Sequence, residues 1–599
     1  MKKGICTCVL VLIIVSLHLP ATSQGQQRDT RNNIYELSQQ AYKALDQKVS
    51  VGFTRGFQLQ DKKEGPDPVA PLFENMGDYS LKISTGVEMA QKYFDQGLRL
   101  TYGFNHAEAH RSFKEAARQD STSAMAYWGQ AYALGPNIND PLPDDARKKS
   151  AYKAIQKSLE LQHGATEKEK DLINALSVRY GVSKDPTKPI MHSYNAGEKT
   201  DLNLLNEAYA QAMQTLAIKY PRDADIQTFY AASIMNMMPW NYWDNQGNAN
   251  PGIENAQKAL EKAIEINPRH PGAHHYYIHM MEKPKPELAI PSAEVLAGLM
   301  PAAGHIVHMP SHVFIRVGRY KDAAMTNIKA IYADEEYISQ CYAQGMYPLG
   351  YYPHNIHFLW SSSSLMGNSA TALAAASKTA QKVSPSSMET LPFLQDFYST
   401  PMLSYVRFGK WKDILTVPDL APYKHISLIR HYARGIAFVR MGNLKEAQEE
   451  LDAIETMMND PSLESLMGSF TNSSASIAKV AYRVVAGELM AARGDYDAAI
   501  EHLEKGVENE DALNYSEPAA WHIPVRQTLG AILLKADMPS EAETVYRQDL
   551  QKVPLNGWST IGLYNSLIAQ GKNGEARRVK AQFDSVWKEA DIEISSSVF

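Results

Sequence analysis

Eight of the chain's 18 histidines fall in one stretch: His274, His275, His279, His305, His308, His312, His354 and His357. Residues three, four and seven apart share a face of an α-helix, so spacing tests whether such side chains can converge. His275, His279 and Glu282 stand four and three apart, His305, His308 and His312 three and four, and His354 and His357 three. Each set forms one stripe, while His274 falls one residue off it and is expected at a helix-helix seam. Neutral imidazole is the commonest nitrogen ligand of transition metals, and His-x3-His on a helix presents two nitrogens to one ion. Seven stripe histidines and one carboxylate exceed the needs of a single zinc. They suit a mononuclear site with supporting outer histidines, or a dinuclear one. Imidazole-rich ligation fits zinc, copper, iron or nickel without choosing among them. The leading expectation is a metal site with His275, His279, His308 and His312 as principal ligands and His305, His354 and His357 as further ligands or outer support. Glu282 is expected as a ligand or general base. If the site is catalytic, metal-activated water or oxygen chemistry follows, and hydrolase and oxidoreductase both stay open.

Two other readings compete. One is metal-free recognition of an anionic, peptide or small-molecule ligand, with Arg316, Tyr351, Tyr352 and Trp243 assisting. The other is structural, with each imidazole buried and hydrogen-bonded where repeats meet. His106 and His110, four apart at the start of a helix, are read as structural, and "EPAAWHIPVR", with Trp521, His522 and Arg526, as packing at a helix start. Met235, Met237 and Met238 are read as core. No phosphate-binding glycine loop, GxSxG elbow or His-Glu-x-x-His occurs in the sequence. Pro310 interrupts the middle histidine helix, where it removes an amide, leaves a carbonyl near Ile306 free and should re-aim His305 relative to His312.

The elements that must hold these residues are helices in repeat. From about residue 86 onward the chain reads as alanine-rich amphipathic segments with short turns. "GRYKDAAMTNI" at Gly318, "GNSATALAAA" at Gly367, "GNLKEAQEEL" at Gly442, "GDYDAAIEHL" at Gly494 and "GKNGEARRVK" at Gly571 each put a glycine before a small-residue helix. "ENAQKALEKAIEINP" and "SEAETVYRQDLQKVP" add a closing proline, and Gly435 and Gly530 sit where two helices would approach closely. On these segments the chain resembles the tetratricopeptide repeat family over most of residues 86–590. That resemblance implies an all-α solenoid, a right-handed superhelix of helix-turn-helix units that serves as a binding scaffold, including for peptide or protein partners. Central alanines fall at Ala109, Ala256, Ala289, Ala323, Ala372, Ala447, Ala499, Ala542 and Ala576, several of them 33 or 34 residues apart. Counted from these anchors, His275 and His279 occupy the slots of His308 and His312, and His354 and His357 those of His305 and His308. In the resembled family those slots face the concave groove, which implies that three successive first helices line it with imidazoles. "PGAHHYYIH" and "GHIVHMPSH" are also similar to segments in a group of exported bacterial tetratricopeptide proteins, a resemblance that implies no reaction.

Bulk properties bound the rest. At 599 residues and 21% charged residues, the chain is a folded multi-domain or repeat protein. A net charge of −6 argues against nucleic acid as a partner. The basic start at Lys2 and Lys3, a short apolar run and small residues at Ala21 and Ser23 read as an export signal over residues 1–23, placing the mature chain in the periplasm or outside the cell. No second apolar span follows, and Cys341 is the one cysteine after the signal, which rules out an intramolecular disulfide. The remaining segments are expected as a polar, extended lead-in over 24–85, first repeats over 86–240, histidine-rich central repeats with aromatic loops over 241–380, and last repeats over 381–599.

Overall fold

The computed structural model describes residues 68–182, 202–244, 246–340, 346–420 and 422–599. The expected export signal, the lead-in up to residue 67 and Cys341 lie outside the described residues. Residues 68–87 run without helix and are pinned to the first repeats by side chains: Val69 N–H donates to Glu115, Leu81 N–H to Asp95 and Ser84 N–H to Glu169.

From Glu88 onward the chain is an all-α solenoid of antiparallel helix pairs, each helix packed chiefly on its chain neighbours. Among the described residues, extended pairing is limited to isolated bridges such as Trp243 with Ala249. All nine anchor alanines are fully buried. A larger side chain at any of them would push two helices apart. The five repeat glycines, Gly318, Gly367, Gly442, Gly494 and Gly571, all have left-handed φ between +71° and +85°, which ends one helix within a residue or two of the next. Gly530 in a first helix has another role: a Cβ there would lie 2.5 Å from the Tyr546 ring of its partner helix.

One unit departs from the pattern. Where Ala289 should sit in a full second helix, Pro286 and Pro291 leave a 3-10 turn, Pro286–Ala289, and a seven-residue helix, Ile290–Leu296. Pro310 divides the following first helix into Gly304–His308 and Pro310–Arg316. The joint is slight: Met309 keeps helical dihedrals, its N–H reaches His305 O at 3.1 Å, and the next turn is held by His312 N–H on Met309 O at 3.2 Å.

The array also curls onto itself. Tyr320 OH donates to Pro554 O at 2.5 Å, Trp558 Nε1–H donates to Ser364 O at 3.0 Å, and the Asp591 carboxylate accepts from Ser369 N and Ala370 N. On the other side, Asn139 Nδ2 donates to Tyr351 OH at 2.9 Å. These ties put the central helices inside, with first and last repeats against them, and the repeats belong to one compact unit. The histidine slots therefore lie in an enclosed interior. No described helix is long and apolar enough to cross a membrane.

Candidate metal centre

The first histidine helix, Pro271–Met281, begins on a built cap. His270 Nδ1 accepts from Ala273 N–H at 3.0 Å, Pro271 supplies a preset φ, and His270 Nε2 lies 3.3 Å from Asp225, which also accepts from Tyr102 OH. Gly272 is required here because a Cβ would stand 2.3 Å from the Tyr102 ring. That close approach brings Tyr102 O within 2.5 Å of His275 Nδ1. The carbonyl can only accept, so Nδ1 carries the proton and Nε2 keeps its lone pair.

The Gly304 helix is placed in the same way. A Cβ on Gly304 would lie 1.8 Å from Asp334 Oδ1. Asp334 accepts from Tyr347 OH and Asn355 Nδ2, both at 2.7 Å, and Tyr347 OH in turn accepts from His305 N–H at 3.1 Å. Burial pushes the Asp334 carboxyl up to about 7, against these hydrogen bonds. On the Pro310 side, Asn327 Nδ2 donates to Ala323 O, which leaves Asn327 Oδ1 to accept from His308 Nδ1 at 2.6 Å. His308 Nε2 is thereby left with its lone pair, 2.9 Å from His312 Nε2.

The ligand atoms fall into three overlapping groups, each within 4.8 Å of one another: His275, His279 and His305; His308, His312 and His354; and His279, Glu282 and His312. Metal-nitrogen bonds of about 2.0–2.1 Å put tetrahedral ligand nitrogens about 3.3 Å apart, so small side-chain rotations would close either histidine triad on an ion. His275 Nε2 and both ring nitrogens of His279 and of His305 are buried and make no hydrogen bond within the chain, and neither does Glu282 Oε1. A buried polar atom left without a partner costs about 1–3 kcal/mol and is rare in native proteins. Here five such nitrogens share one triad.

Electrostatics separate the histidines. Burial holds His275, His279, His305, His308 and His354 well below the usual imidazole range, and neighbouring imidazoles add to the effect. Neutral rings are the ligating form. At His312 burial acts downward too, but Glu282 Oε2 at 2.9 Å and Glu517 Oε2 at 3.1 Å outweigh it and lift the group to about 10. Burial in turn raises the Glu517 carboxyl, opposed by His312 and by Arg316.

Not every expected residue arrives. His357, one turn beyond His354, points to the other side of its helix: it stacks on Trp360 at 4.8 Å and meets Phe397 edge-on at 5.2 Å, apart from both triads. Trp243 is taken up by structure, with its indole N–H on Met280 O at 2.7 Å, and Trp240 instead stands edge-on to His279 at 5.0 Å. Tyr352 faces outward from the site, donating to Glu335 at 2.8 Å beneath Lys382. Tyr351 does reach it, 4.6 Å from the His305 ring, and Arg316 stands at its edge, 3.7 Å from Glu517 and over the Tyr515 ring. His274 bonds Ser292 and Pro268 O at the seam between helices. His106 stacks on Phe104, and His522 Nε2 bonds Leu403 O.

Sequence reasoning missed Glu517 and Tyr515, hydrogen-bonded to each other, because a loop brings them back across more than two hundred residues. It also missed Phe104, held at φ +56°, whose ring lies 4.2 Å from His275, 5.5 Å from His305 and 5.8 Å from His279. Asn327 and Asp334 carried a readable signal: they share a helical stripe with Ala323 and Ala330, where apolar residues belong.

No protein-family model matches the chain, and no curated protein matches it. Among solved structures it is similar to yeast Tom70, at 12% identity over 83% of this chain and 89% of that chain, with a TM-score of 0.26. It is similar also to the human IFIT1 dimer with m7Gppp-AAAA, at 13% identity over 78% and 90% of the two chains, with a TM-score of 0.32. A third is the APC/C hetero-tetramer Cut9-Hcn1, at 11% identity over 83% and 87%, with a TM-score of 0.28. Likeness at this level carries no argument about what this chain binds.

Proposed function

We propose that this chain is an exported, tetratricopeptide-like solenoid that binds a transition metal in its enclosed centre and works as a metalloenzyme. The observation that carries the reading is the set of five buried, unpartnered ring nitrogens on His275, His279 and His305 beside the carboxylate of Glu282. Single buried imidazoles elsewhere also keep unpaired nitrogens, His106 among them; what sets these apart is that five converge, with ligand atoms within 4.8 Å of one another. The other arrangements fit the same reading. Tyr102 O and Asn327 Oδ1 each fix one histidine's tautomer, as outer partners of metal-bound imidazoles do. The export signal read in residues 1–23 supports the location.

A transition metal held by these histidines would supply Lewis-acid or redox chemistry. Glu282 stands where it could ligate or take a proton, and Glu517 orients His312 through Nδ1. Tyr351 and Trp240 pack on His305 and His279, and Arg316 pairs with Glu517; in this reading those three would contact a substrate. The second reading is a peptide or protein partner along the groove, where Glu517 and Tyr515 already pack against His312 and Arg316.

Elemental analysis of full-length protein purified without a polyhistidine tag tests the proposal. Stoichiometric zinc, copper or iron, and a melting temperature that rises on metal addition, are the expected results. Protein that takes up no metal and melts unchanged would remove the metal reading.

A further inference from the structure

Six imidazoles are more than one ion can use, and the fold separates them into two sets of three. His275, His279 and His305 share no residue with His308, His312 and His354, and within each set the ligand atoms lie within 4.8 Å of one another. The line between the sets falls within one short helix, Gly304–His308, which gives His305 to one set and His308 to the other, and a third grouping, His279, Glu282 and His312, straddles it. Each set also contains one histidine whose Nδ1 is tied to an oxygen, His275 to Tyr102 O and His308 to Asn327 Oδ1, so each has its own fixed Nε2. The sets adjoin, with the His279 and His312 rings 5.4 Å apart and those of His305 and His308 5.7 Å apart. Glu282 bridges them, 3.5 Å from His279 and 2.9 Å from His312.

We infer that the centre holds two copper(I) ions at once, one on each histidine triad, with Glu282 between them. The inference rests on the metal-binding reading and adds its stoichiometry and metal class. The charge argument selects copper(I). The imidazoles contribute no charge while Glu282 and Glu517, both against His312, carry carboxylates that two monovalent ions can balance, and two monovalent ions repel a quarter as strongly as two divalent ones at the same spacing. Imidazole is a good ligand for copper, whereas magnesium, calcium and manganese favour carboxylate, carbonyl and water.

The test uses tag-free, metal-free, full-length protein titrated anaerobically with copper(I) against a chromophoric chelator. Two equivalents are expected for the wild type, and one each for His305→Gln and His354→Gln. Both substitutions are gentle to the fold: the His305 ring makes no hydrogen bond in the chain, and His354 is half-buried and packs through ring contacts with Phe358 and Phe470. Circular dichroism checks that each variant keeps wild-type helicity. Should a variant lose its fold, X-ray absorption of the doubly loaded wild type decides: a copper-copper scattering feature is expected, and its absence overturns the inference. One equivalent in the wild type, with one variant unchanged, overturns the two-ion inference and leaves metal binding standing. No uptake overturns both.

Discussion

Two buried polar clusters in this molecule invite comparison. In the last repeats, Asp549 accepts from Ser559 Oγ at 2.6 Å, Asn556 Nδ2 at 3.2 Å and Gln527 Nε2 at 3.3 Å. Gln527 Oε1 accepts from Arg407 at 2.9 Å, and Asn556 Oδ1 from Ser559 N–H at 2.7 Å. No buried side-chain atom of Asp549, Asn556, Gln527 or Ser559 lacks a hydrogen bond, although Arg407 Nε beside them does. The histidine cluster of the central repeats is equally buried, yet six ring nitrogens on His275, His279, His305 and His312 make no hydrogen bond. Both regions place polar groups inside the same kind of helix stack; the first is nearly satisfied within the chain, whereas the second gathers unpaired ligand atoms in one place, the arrangement on which the proposed metal site rests.

That contrast can be broken in four ways. The largest effect should come from the metal itself: at free metal a thousandfold above its dissociation constant, the folded protein gains about 4 kcal/mol, lost again on chelation. Urea unfolding with and without chelator measures it. Next, Asp549→Ala should cost about 3 kcal/mol, since Ser559, Asn556 and Gln527 lose their common acceptor, and the loss should be the same with or without metal. Third, His305→Gln should shift the stability of metal-free protein by under about 1 kcal/mol while removing part of the metal-dependent gain. An equal loss in both forms would make His305 structural after all.

The smallest effect concerns pH. Asp334 keeps its proton up to about 7 in the folded chain, whereas an unfolded aspartate releases it near its ordinary value of 3.8. Between those values the folded state binds more protons, so this group's contribution to stability falls as pH rises from about 4 to about 7 and levels off above. Asp334→Asn should flatten that part of the stability profile in urea melts run across the range, leaving the slope from Asp396, raised to about 7 by burial in the same way.

The fold and half of the site were legible in the sequence because their determinants are local. Alanine spacing and turn glycines set helix pairing within one unit, and all nine anchors are buried as that spacing requires. The stripe rule likewise found His275, His279, His305, His308, His312 and His354, which lie on three neighbouring first helices. It overreached at His357 because register fixes a slot along a helix but not which neighbour the slot faces; here the Leu394–Arg407 helix, through Phe397, takes that face. It could not reach Glu517 or Phe104, whose positions depend on how far the solenoid curls, and curl is set by contacts such as Tyr320 with Pro554 that have no local signature. Trp243 shows the same limit at short range, since its indole closes on Met280 O rather than turning to the site.

The central claim is that these histidines hold metal, and anomalous X-ray scattering tests it most directly. A crystal of tag-free, metal-loaded protein, measured on either side of the metal's absorption edge, should place a peak among His275, His279 and His305 and a second among His308, His312 and His354. Density for water bridging those ring nitrogens, with no anomalous peak at either triad, would contradict the account.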